Sequence, residues 1–283
     1  MVAKANLENM DTLNRITEYY KTTPWVGLLR ALEVRKLREV WNLCAPPILD
    51  LGCGDGLVAS LAFGSRLEGG IDVNINPLLK AAHAGRYQIV CQADAKRLPF
   101  KCGTFRTVYS NGSMEHMEHL RIVLQEVNRI LLPGGKLITL VPSDRFLAPI
   151  GILGKAMGNK IWNAYNRLHN HVNLFSVAEW ASYLQDHGFE VKMIQLYGGD
   201  DVANYLCPWD LLSKLSIKCK WPFFSLQHAG RLGIIATRMC SGRQRRRVKE
   251  LFVREISSHP RGNWFMIVAE KRLEIRNNNR EVC

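Results

Sequence analysis

The sequence predicts an α/β protein in which a mostly parallel sheet is covered by helices on both faces. Between residues 45 and 142, short apolar segments typical of buried strands alternate with amphipathic segments typical of helices. This alternation favours a parallel sheet, because the crossover between two parallel strands is usually a helix. A glycine-rich run directly after the first strand, at 52–56, marks a sharp strand-to-helix turn and strengthens the prediction.

The composition is that of a folded globular chain. Of the 283 residues, 47% are hydrophobic and 22% are charged, which excludes a disordered or fibrous chain. No apolar stretch approaches the roughly 20 residues that a membrane-spanning helix needs. The start of the chain carries Lys4 and Glu8 but no apolar core, so we expect no secretory signal and a cytoplasmic protein. The eight cysteines include no C-x-x-C pair, which argues against zinc-ribbon and thioredoxin-like motifs and favours reduced thiols.

Each predicted element rests on its own pattern. Segment 12–43 reads as one helix because Leu28, Leu32 and Leu37 recur near a 3.6-residue period, and the prolines at 46 and 47 end it. Short apolar runs bounded by glycine or polar residues predict strands, and longer periodic runs predict helices. The predicted strands are 48–51, a segment ending at 72, 87–91, 105–110, 136–141, 189–197 and 264–270, and the further predicted helices are 57–63, 77–84, 120–132, 176–187 and 248–256.

The most informative stretch is the run D-L-G-C-G-D-G that begins at Asp50. Gly52, Gly54 and Gly56 allow the backbone to turn sharply and to approach a ligand where a side chain would clash. A tight turn without a ligand uses the same glycines, so the ligand-binding interpretation depends on carboxylates further along the chain. Asp72 ends the second strand, where a carboxylate can accept hydrogen bonds from both hydroxyls of a ribose.

A second carboxylate, Asp94, ends the third strand, where it can accept a hydrogen bond from the amino group of an adenine. Either aspartate alone is also compatible with an ordinary solvated turn, but the order and spacing of the two reinforce each other. A nicotinamide-binding fold fits less well. Its usual G-x-G-x-x-G pattern places the third glycine one residue later than this chain does.

With these motifs in order, the chain resembles the class I S-adenosylmethionine-dependent methyltransferases, in the UbiE-like or methyltransferase type 11 branch. The resemblance implies a Rossmann-like, doubly wound, mostly parallel sheet of seven strands, with S-adenosylmethionine (SAM) as the cofactor. It is close over 45–142 and resumes more weakly over 171–197. The segments that carry it are ILDLGCGDG at 48–56, GID at 70–72, ADAKRLPF at 93–100, SNGSMEH at 110–116, VNRILLPGG at 127–135, HVNLFS at 171–176 and HGFE at 187–190.

The resemblance also implies which residues contact the cofactor. The glycine loop with Cys53 approaches its amino-acid part, and Asp50 orients the loop and the amino group. Asp72 holds the ribose, while the methionine side is lined by the residues that end the fourth strand. The implied cofactor-binding residues are Asp50, Gly52, Cys53, Gly54, Gly56, Asp72, Val73, Asn74, Asp94, Ala95, Ser110 and Asn111.

A hydroxyl or acidic-carbon acceptor also needs a base. His116, just after the fourth strand, is the first candidate for this catalytic role, followed by His119, His169 and His171. A Glu-His pair is common at this position in the family, where its role can be only to shape the floor of the pocket. A base role and a purely structural role for His116 therefore both stay open. No metal site is predicted.

The resemblance divides the chain into three parts. Residues 1–44 form an N-terminal helical segment, 45–142 form the SAM-binding core, and 143–283 complete the sheet. The third part carries two predicted helical lid insertions, about 145–170 and 198–258, after the fifth and sixth strands. Their apolar residues are interleaved with basic ones, which favours a lid over a hydrophobic acceptor, although an extension of the core has a similar apolar pattern.

The basic character of the chain belongs to its C-terminal quarter. Residues 213–283 hold 16 Lys/Arg and 5 Asp/Glu, a net of +11 out of the +13 of the whole chain. The densest cluster, 243–249, comes just before and within the predicted helix 248–256, where cations oppose the helix dipole. It therefore indicates either a solvated face or contact with phosphate groups, in an anionic membrane surface or a nucleic acid.

These observations favour a methyltransferase for a small or lipid-like hydrophobic acceptor, with a peripheral contact to an anionic membrane. One alternative is an RNA methyltransferase, or less favoured a DNA methyltransferase, that uses the basic quarter. Against it, the fourth strand ends in Ser110-Asn111-Gly112 and not in the N-P-P-aromatic run of enzymes that methylate base amines. A further alternative is a cofactor-binding protein without catalysis, which the intact glycine loop disfavours. The sequence predicts no oligomeric state.

Overall fold

The architecture was determined from a computed structural model, which describes residues 2–21, 23–144, 167, 169–206, 242–254 and 262–273. Helices and strands alternate from β1 to β5. The strands are β1 Ile48–Leu51, β2 Leu67–Asp72, β3 Tyr87–Gln92, β4 Phe105–Asn111, β5 Leu131–Pro142, β6 Phe189–Tyr197 and β7 Trp264–Lys271. The helices are α1 Val2–Tyr19, α2 Pro24–Glu39, α3 Leu57–Phe63, α4 Ile75–His83, α5 Leu120–Ile130, α6 Val177–Asp186 and α7 Gly242–Arg254, with short 3₁₀-helices at Trp41–Leu43 and Met114–His116.

The seven strands form one sheet in the order β3-β2-β1-β4-β5-β7-β6. The pairs from β3 to β5 are parallel, and β7 runs antiparallel to β5. The predicted fold class, a mostly parallel seven-stranded Rossmann-like sheet, is therefore confirmed. The chain leaves β1 toward β2 on one side and later enters β4 on the other, so a crevice opens beyond the carboxyl ends of β1 and β4.

Several predicted boundaries are wrong, most of them for a local reason. The single helix 12–43 is two helices, because Pro24 begins α2 and a proline is favoured at the first position of a helix. Helix α5 ends at Ile130, since Leu131 is already extended, and β5 starts there. The strand then accommodates its proline and glycines through a register shift, pairing Leu131 with Phe105 and Lys136 with Thr107. Helix α7 begins at Gly242, not at Val248.

The chain divides into two compact units. One comprises Met1–Arg35, Phe146–Asn170 and Tyr197–Asn263, and the other comprises Lys36–Arg145, His171–Leu196 and Trp264–Cys283. The second unit contains nearly all of the sheet. Most of the two predicted lid insertions lies outside the described residues, and the three-part division predicted from the sequence stays a prediction.

Each unit has its own buried contacts. In the sheet unit, α5 and α6 cover one face through fully buried residues such as Leu124, Val127 and Trp180. In the other unit, the Arg35 guanidinium on α2 donates to the Phe252 carbonyl of α7 at 3.2 Å and lies 5.6 Å from the centre of the Phe252 ring. Packing against an apolar face thus fixes these helices, as expected for amphipathic segments.

Two findings bear on the environment of the chain. None of the helices in the described part is long and apolar enough to cross a membrane. Cys44, Cys53 and Cys91 are free thiols, but Cys102 is disulfide-bonded, so the expectation of reduced thiols is wrong for Cys102.

Candidate active site

A glycine loop leaves the carboxyl end of β1 and is held against the end of β2. The N–H groups of Gly52 and Cys53 donate to the Ile71 carbonyl at 2.9 and 2.8 Å. Gly52, Gly54 and Gly56 have φ values of 78°, 54° and 72°, in the left-handed region that only glycine adopts without strain. A Cβ on Gly54 would meet no atom within 4 Å, so the loop borders open space at this point.

Asp72 ties the same loop to the end of β2. Its Oδ2 accepts a hydrogen bond from the Gly54 N–H at 2.8 Å, and its Oδ1 accepts one from the Asn74 N–H at 2.7 Å. A carboxylate offers about four acceptor sites, two on each oxygen. Each oxygen of Asp72 therefore keeps capacity for one more hydrogen bond, which suits a pair of vicinal hydroxyls.

Asp50 lies behind the loop, buried at the centre of the sheet. The Tyr87 hydroxyl donates to its Oδ2 at 2.7 Å. Burial raises the pKa of Asp50 to about 7; the hydrogen bond from Tyr87 works against this rise, and the nearby Asp72 carboxylate adds to it. An ionised Asp50 is thus favoured mainly when a cationic group approaches it.

Tyr87 also supports the loop sterically. A Cβ on Gly56 would lie 2.7 Å from the Tyr87 ring, and one on Gly70 would lie 2.9 Å from it. Burial, and then the Asp50 charge, raise the pKa of the Tyr87 hydroxyl, so it stays a donor. Sequence reasoning missed Tyr87, whose role arises from the pairing of β3 with β2, far along the chain from Asp50.

The residues predicted for the adenine side lie at the ends of β2 and β3. Val73 is 62% exposed, an unusual position for an apolar side chain, and Gln92 fixes its carbonyl through a hydrogen bond of 2.9 Å. Asn74 is exposed and Ala95 is half-buried. Asp94 is exposed, and its carboxylate accepts from the Lys96 N–H at 2.9 Å and lies 3.3 Å from Lys96 Nζ.

The carboxyl end of β4 lies beside the glycine loop. The Ser113 hydroxyl contacts the carbonyls of Gly52 and Asn111 at 3.1 and 3.2 Å. A Cβ on Gly52 would collide with Ser113, which explains a glycine there. Ser110 is completely buried, and its hydroxyl has no hydrogen-bond partner among the residues that the structure describes. Sequence reasoning did not single out Ser113.

A second group of functional side chains surrounds the 3₁₀-helix after β4. Glu115 is buried, and its Oε1 lies 3.8 Å from His116 Nε2. The rings of His116 and His171 are 5.0 Å apart between their centres. The structure thus joins two of the four predicted histidines. His119 is exposed and lies just before α5, at its N-cap position, in a left-handed conformation with φ of 57°.

The segment that carries His171 is fixed by backbone contacts. The N–H groups of Val172 and Asn173 donate to the Glu115 carbonyl at 2.8 and 3.1 Å. The Asn173 side-chain amide donates to the carbonyls of Met114 and Met117 at 2.8 and 2.7 Å. Asn173 is a positioning residue that sequence reasoning missed, although it lies in the weaker segment of the family resemblance.

Comparison with known families confirms the resemblance. Residues 49–139 match the family described as methyltransferase domain. This range contains the glycine loop, Asp72 at the end of β2, Asp94 just after β3, and the Glu115–His116 pair. The resemblance to the class I SAM-dependent methyltransferases therefore rests on the part of the chain that forms the candidate site.

Two relatives extend the comparison beyond the domain. A malonyl-(acyl-carrier protein) O-methyltransferase of Alcanivorax borkumensis is 32% identical over 155 residues, which span 52% of this chain and 49% of the relative. A demethylmenaquinone methyltransferase of Staphylococcus aureus is 31% identical over 141 residues, 47% of this chain and 56% of the relative. The chain thus spans about half the length of these relatives.

Solved structures share the fold. A SAM-dependent methyltransferase of Thermotoga maritima superimposes with a TM-score of 0.55 at 17% identity, covering 92% of this chain and 97% of the other. At this identity the likeness concerns the fold alone.

The protonation of Asp50 yields a test that needs no ligand. Burial raises the pKa of Asp50 from 3.8 to about 7. The contribution of Asp50 to stability is therefore fully present below pH 3.8, its ordinary pKa, and is lost as the pH rises through about 7. We expect Asp50→Asn to gain free energy of unfolding relative to the unsubstituted protein between about pH 5 and about pH 8, by about 1 kcal/mol or more, the equivalent of one pKa unit. Urea denaturation at the two pH values measures this.

The matched control is Asp186→Asn, at an exposed position at the end of α6. It should follow the pH trend of the unsubstituted protein. The same pH trend in Asp50→Asn would show that Asp50 is not the titrating group.

Proposed function

We propose that the protein is a SAM-dependent methyltransferase that acts on a small or lipid-like hydrophobic acceptor. The observation that carries the proposal is the pair of backbone hydrogen bonds that orients Asp72 beside the open glycine loop. This arrangement lies beyond the carboxyl ends of β1 and β2, near the crevice where open α/β sheets bind ligands.

The residues present fit SAM. Asp72 has capacity for both ribose hydroxyls, exposed Val73 offers an apolar face for the adenine, and Asp94 with Ala95 lies at the next strand end. Gly54 borders open space where the backbone can approach the amino-acid part. Asp50 offers a buried carboxylate to the cofactor's amino group, which would compensate for the cost of burying that charge.

When bound, SAM supplies a methyl group on a positively charged sulfur. The task of the chain is to align an acceptor in line with that group and to exclude water. For a hydroxyl or acidic-carbon acceptor, a proton must also leave. His116 is the side chain that we predict from the sequence for this step, and Glu115 and His171 lie beside it.

Two observations support a lipid-like acceptor. The Staphylococcus aureus relative is named for demethylmenaquinone, and the insertions after β5 and β6 are rich in apolar residues interleaved with basic ones. We propose that these insertions select the acceptor.

Helix α7 supports a peripheral contact with an anionic membrane. It buries Val248, Leu251 and Phe252 and exposes Arg246, Arg247 and Lys249, so these three basic side chains are solvated. Arg247 is only partly neutralised by Glu250, at 3.5 Å. We propose a cytoplasmic protein that approaches the membrane through this face, and an RNA contact is the alternative outcome of the vesicle-binding test.

Removing the Asp72 carboxylate should weaken cofactor binding. Asp72→Ala loses two hydrogen bonds to the ribose, at roughly 1–2 kcal/mol each, so we expect a loss of about 2–4 kcal/mol in binding free energy. Titration calorimetry with SAM measures it. Asp186→Ala, which removes an exposed carboxylate elsewhere, is the control and should bind like the unsubstituted protein. Unchanged affinity in a folded Asp72→Ala protein would refute the assignment.

Neutralising the basic face of α7 should reduce membrane binding. Each basic side chain near an anionic leaflet contributes about 1 kcal/mol, so Arg246→Gln, Arg247→Gln and Lys249→Gln together should cost roughly 3 kcal/mol, with the effect fading as salt rises. Sedimentation with phosphatidylserine vesicles measures this, compared with neutral vesicles and with an RNA gel shift at equal ionic strength.

A control of equal charge removes Lys80, Lys101 and Lys192, which are exposed on the sheet unit. It should bind vesicles like the unsubstituted protein. Equal losses of vesicle binding in both triple variants would show that net charge alone explains the effect. RNA binding without vesicle binding would favour the nucleic-acid alternative.

A further inference from the structure

We infer that Glu115, His116 and His171 form a binding site for one divalent transition-metal cation of the zinc class. One ligand atom from each of the three side chains can be chosen so that all lie within 4.8 Å of one another. All three belong to the sheet unit, close to the carboxyl end of β4. The binding site is inferred from these side chains alone; only its consequence for catalysis rests on the proposed function.

The donor set matches the chemistry of such cations. Two imidazole nitrogens and one carboxylate oxygen are ligands that zinc, cobalt and iron(II) accept, whereas magnesium and calcium prefer oxygen alone. Bonds of about 2.0–2.2 Å place the ligand atoms of one cation roughly 3.0–3.5 Å apart. Glu115 Oε1 and His116 Nε2 lie 3.8 Å apart, slightly beyond this range, so coordination of one cation by all three side chains requires side-chain rotation.

The ligands are carried by a rigid frame. Glu115 and His116 belong to one 3₁₀-helix, and His171 belongs to a segment distant in sequence. That segment is held by the hydrogen bonds from Val172 and Asn173 to the Glu115 carbonyl. The Asn173 side chain then spans the 3₁₀-helix, bonding to the carbonyls on both sides of the Glu115–His116 pair. Sites whose ligands are oriented in advance bind metals best.

Burial of Glu115 strengthens its attraction for a cation. Its side chain is only 6% exposed, and water screens the charge of a buried carboxylate less than that of an exposed one. A divalent cation bound by one carboxylate and two neutral imidazoles retains one positive charge. Three protein ligands also leave an open coordination position, as in catalytic zinc sites.

That open position defines the acceptor chemistry. A hydroxyl oxygen bound to the cation loses its proton to water more readily, because the cation stabilises the resulting anion. The oxygen then forms the new O–CH₃ bond while the S–CH₃ bond breaks. The electron pair of the broken S–CH₃ bond stays on the sulfur. In this arrangement His116 acts as a ligand and not as a free base. The acceptor class is a molecule with an ionisable hydroxyl, such as a phenol or an enol.

Cobalt(II) titration of the untagged full chain tests the site. Cobalt takes the place of zinc and gives visible absorption that depends on its nitrogen and oxygen ligands. We expect saturation at one Co²⁺ per chain, and a loss of affinity of at least about tenfold in each of His116→Gln, His171→Gln and Glu115→Gln. His83→Gln, an exposed histidine at the end of α4, should bind like the unsubstituted protein.

The outcomes separate the two proposals. Absence of saturable binding to the unsubstituted chain would overturn the metal site, as would binding that survives substitution of all three ligands together. Circular dichroism confirms folding, and Asn173→Ala provides a second variant that disturbs the frame without removing a ligand. SAM calorimetry on the same samples is independent: SAM binding without cobalt binding refutes the metal site alone, and cobalt binding without SAM binding refutes the proposed function alone.

Discussion

The hydrogen bonds that Asp72 accepts from Gly54 and Asn74 are the interaction on which the candidate site depends. They hold the glycine loop against the end of β2 and, with the same contact, fix the direction of the carboxylate. The loop reaches that carboxylate only because Gly54 occupies the left-handed region, where a side chain would be strained. Sheet order then places β4, with Ser113 and the Glu115–His116 pair, on the other side of the loop.

At the centre of the sheet, stability is reduced at the place where we propose that the cofactor binds. Asp50 is a carboxylate in a buried position, and burial raises its pKa to about 7. Tyr87 moderates the cost with one hydrogen bond, and its ring fills the space left by two glycines. A carboxylate in this environment gains more from a cationic ligand than an exposed one would, since the surrounding dielectric screens the attraction less. The burial that disfavours the ionised form of Asp50 in the free chain therefore also makes this carboxylate selective for a positively charged group.

Local patterns explain which parts were predictable from the sequence. The strand, glycine loop and following aspartate are contiguous or lie at adjacent strand ends, so the positions of β1, the loop and the end of β2 were predicted correctly over 48–72. The cofactor-binding roles of these residues stay a prediction. Tyr87 was missed because its contact with Asp50 depends on strand pairing that spacing alone does not reveal. His171 was named only as a secondary candidate, and its approach to His116 depends on the Asn173 contacts. The break before Pro24 was missed because the apolar period on its two sides is nearly continuous.

The transfer of a labelled methyl group from SAM to fractionated cell extract tests the central claim most directly. With the unsubstituted protein we expect label in a lipid-soluble fraction, and with Asp72→Ala we expect a large loss of that label. Label that enters RNA, or equal labelling by both proteins, would contradict a SAM-dependent methyltransferase of a lipid-like acceptor that works through Asp72.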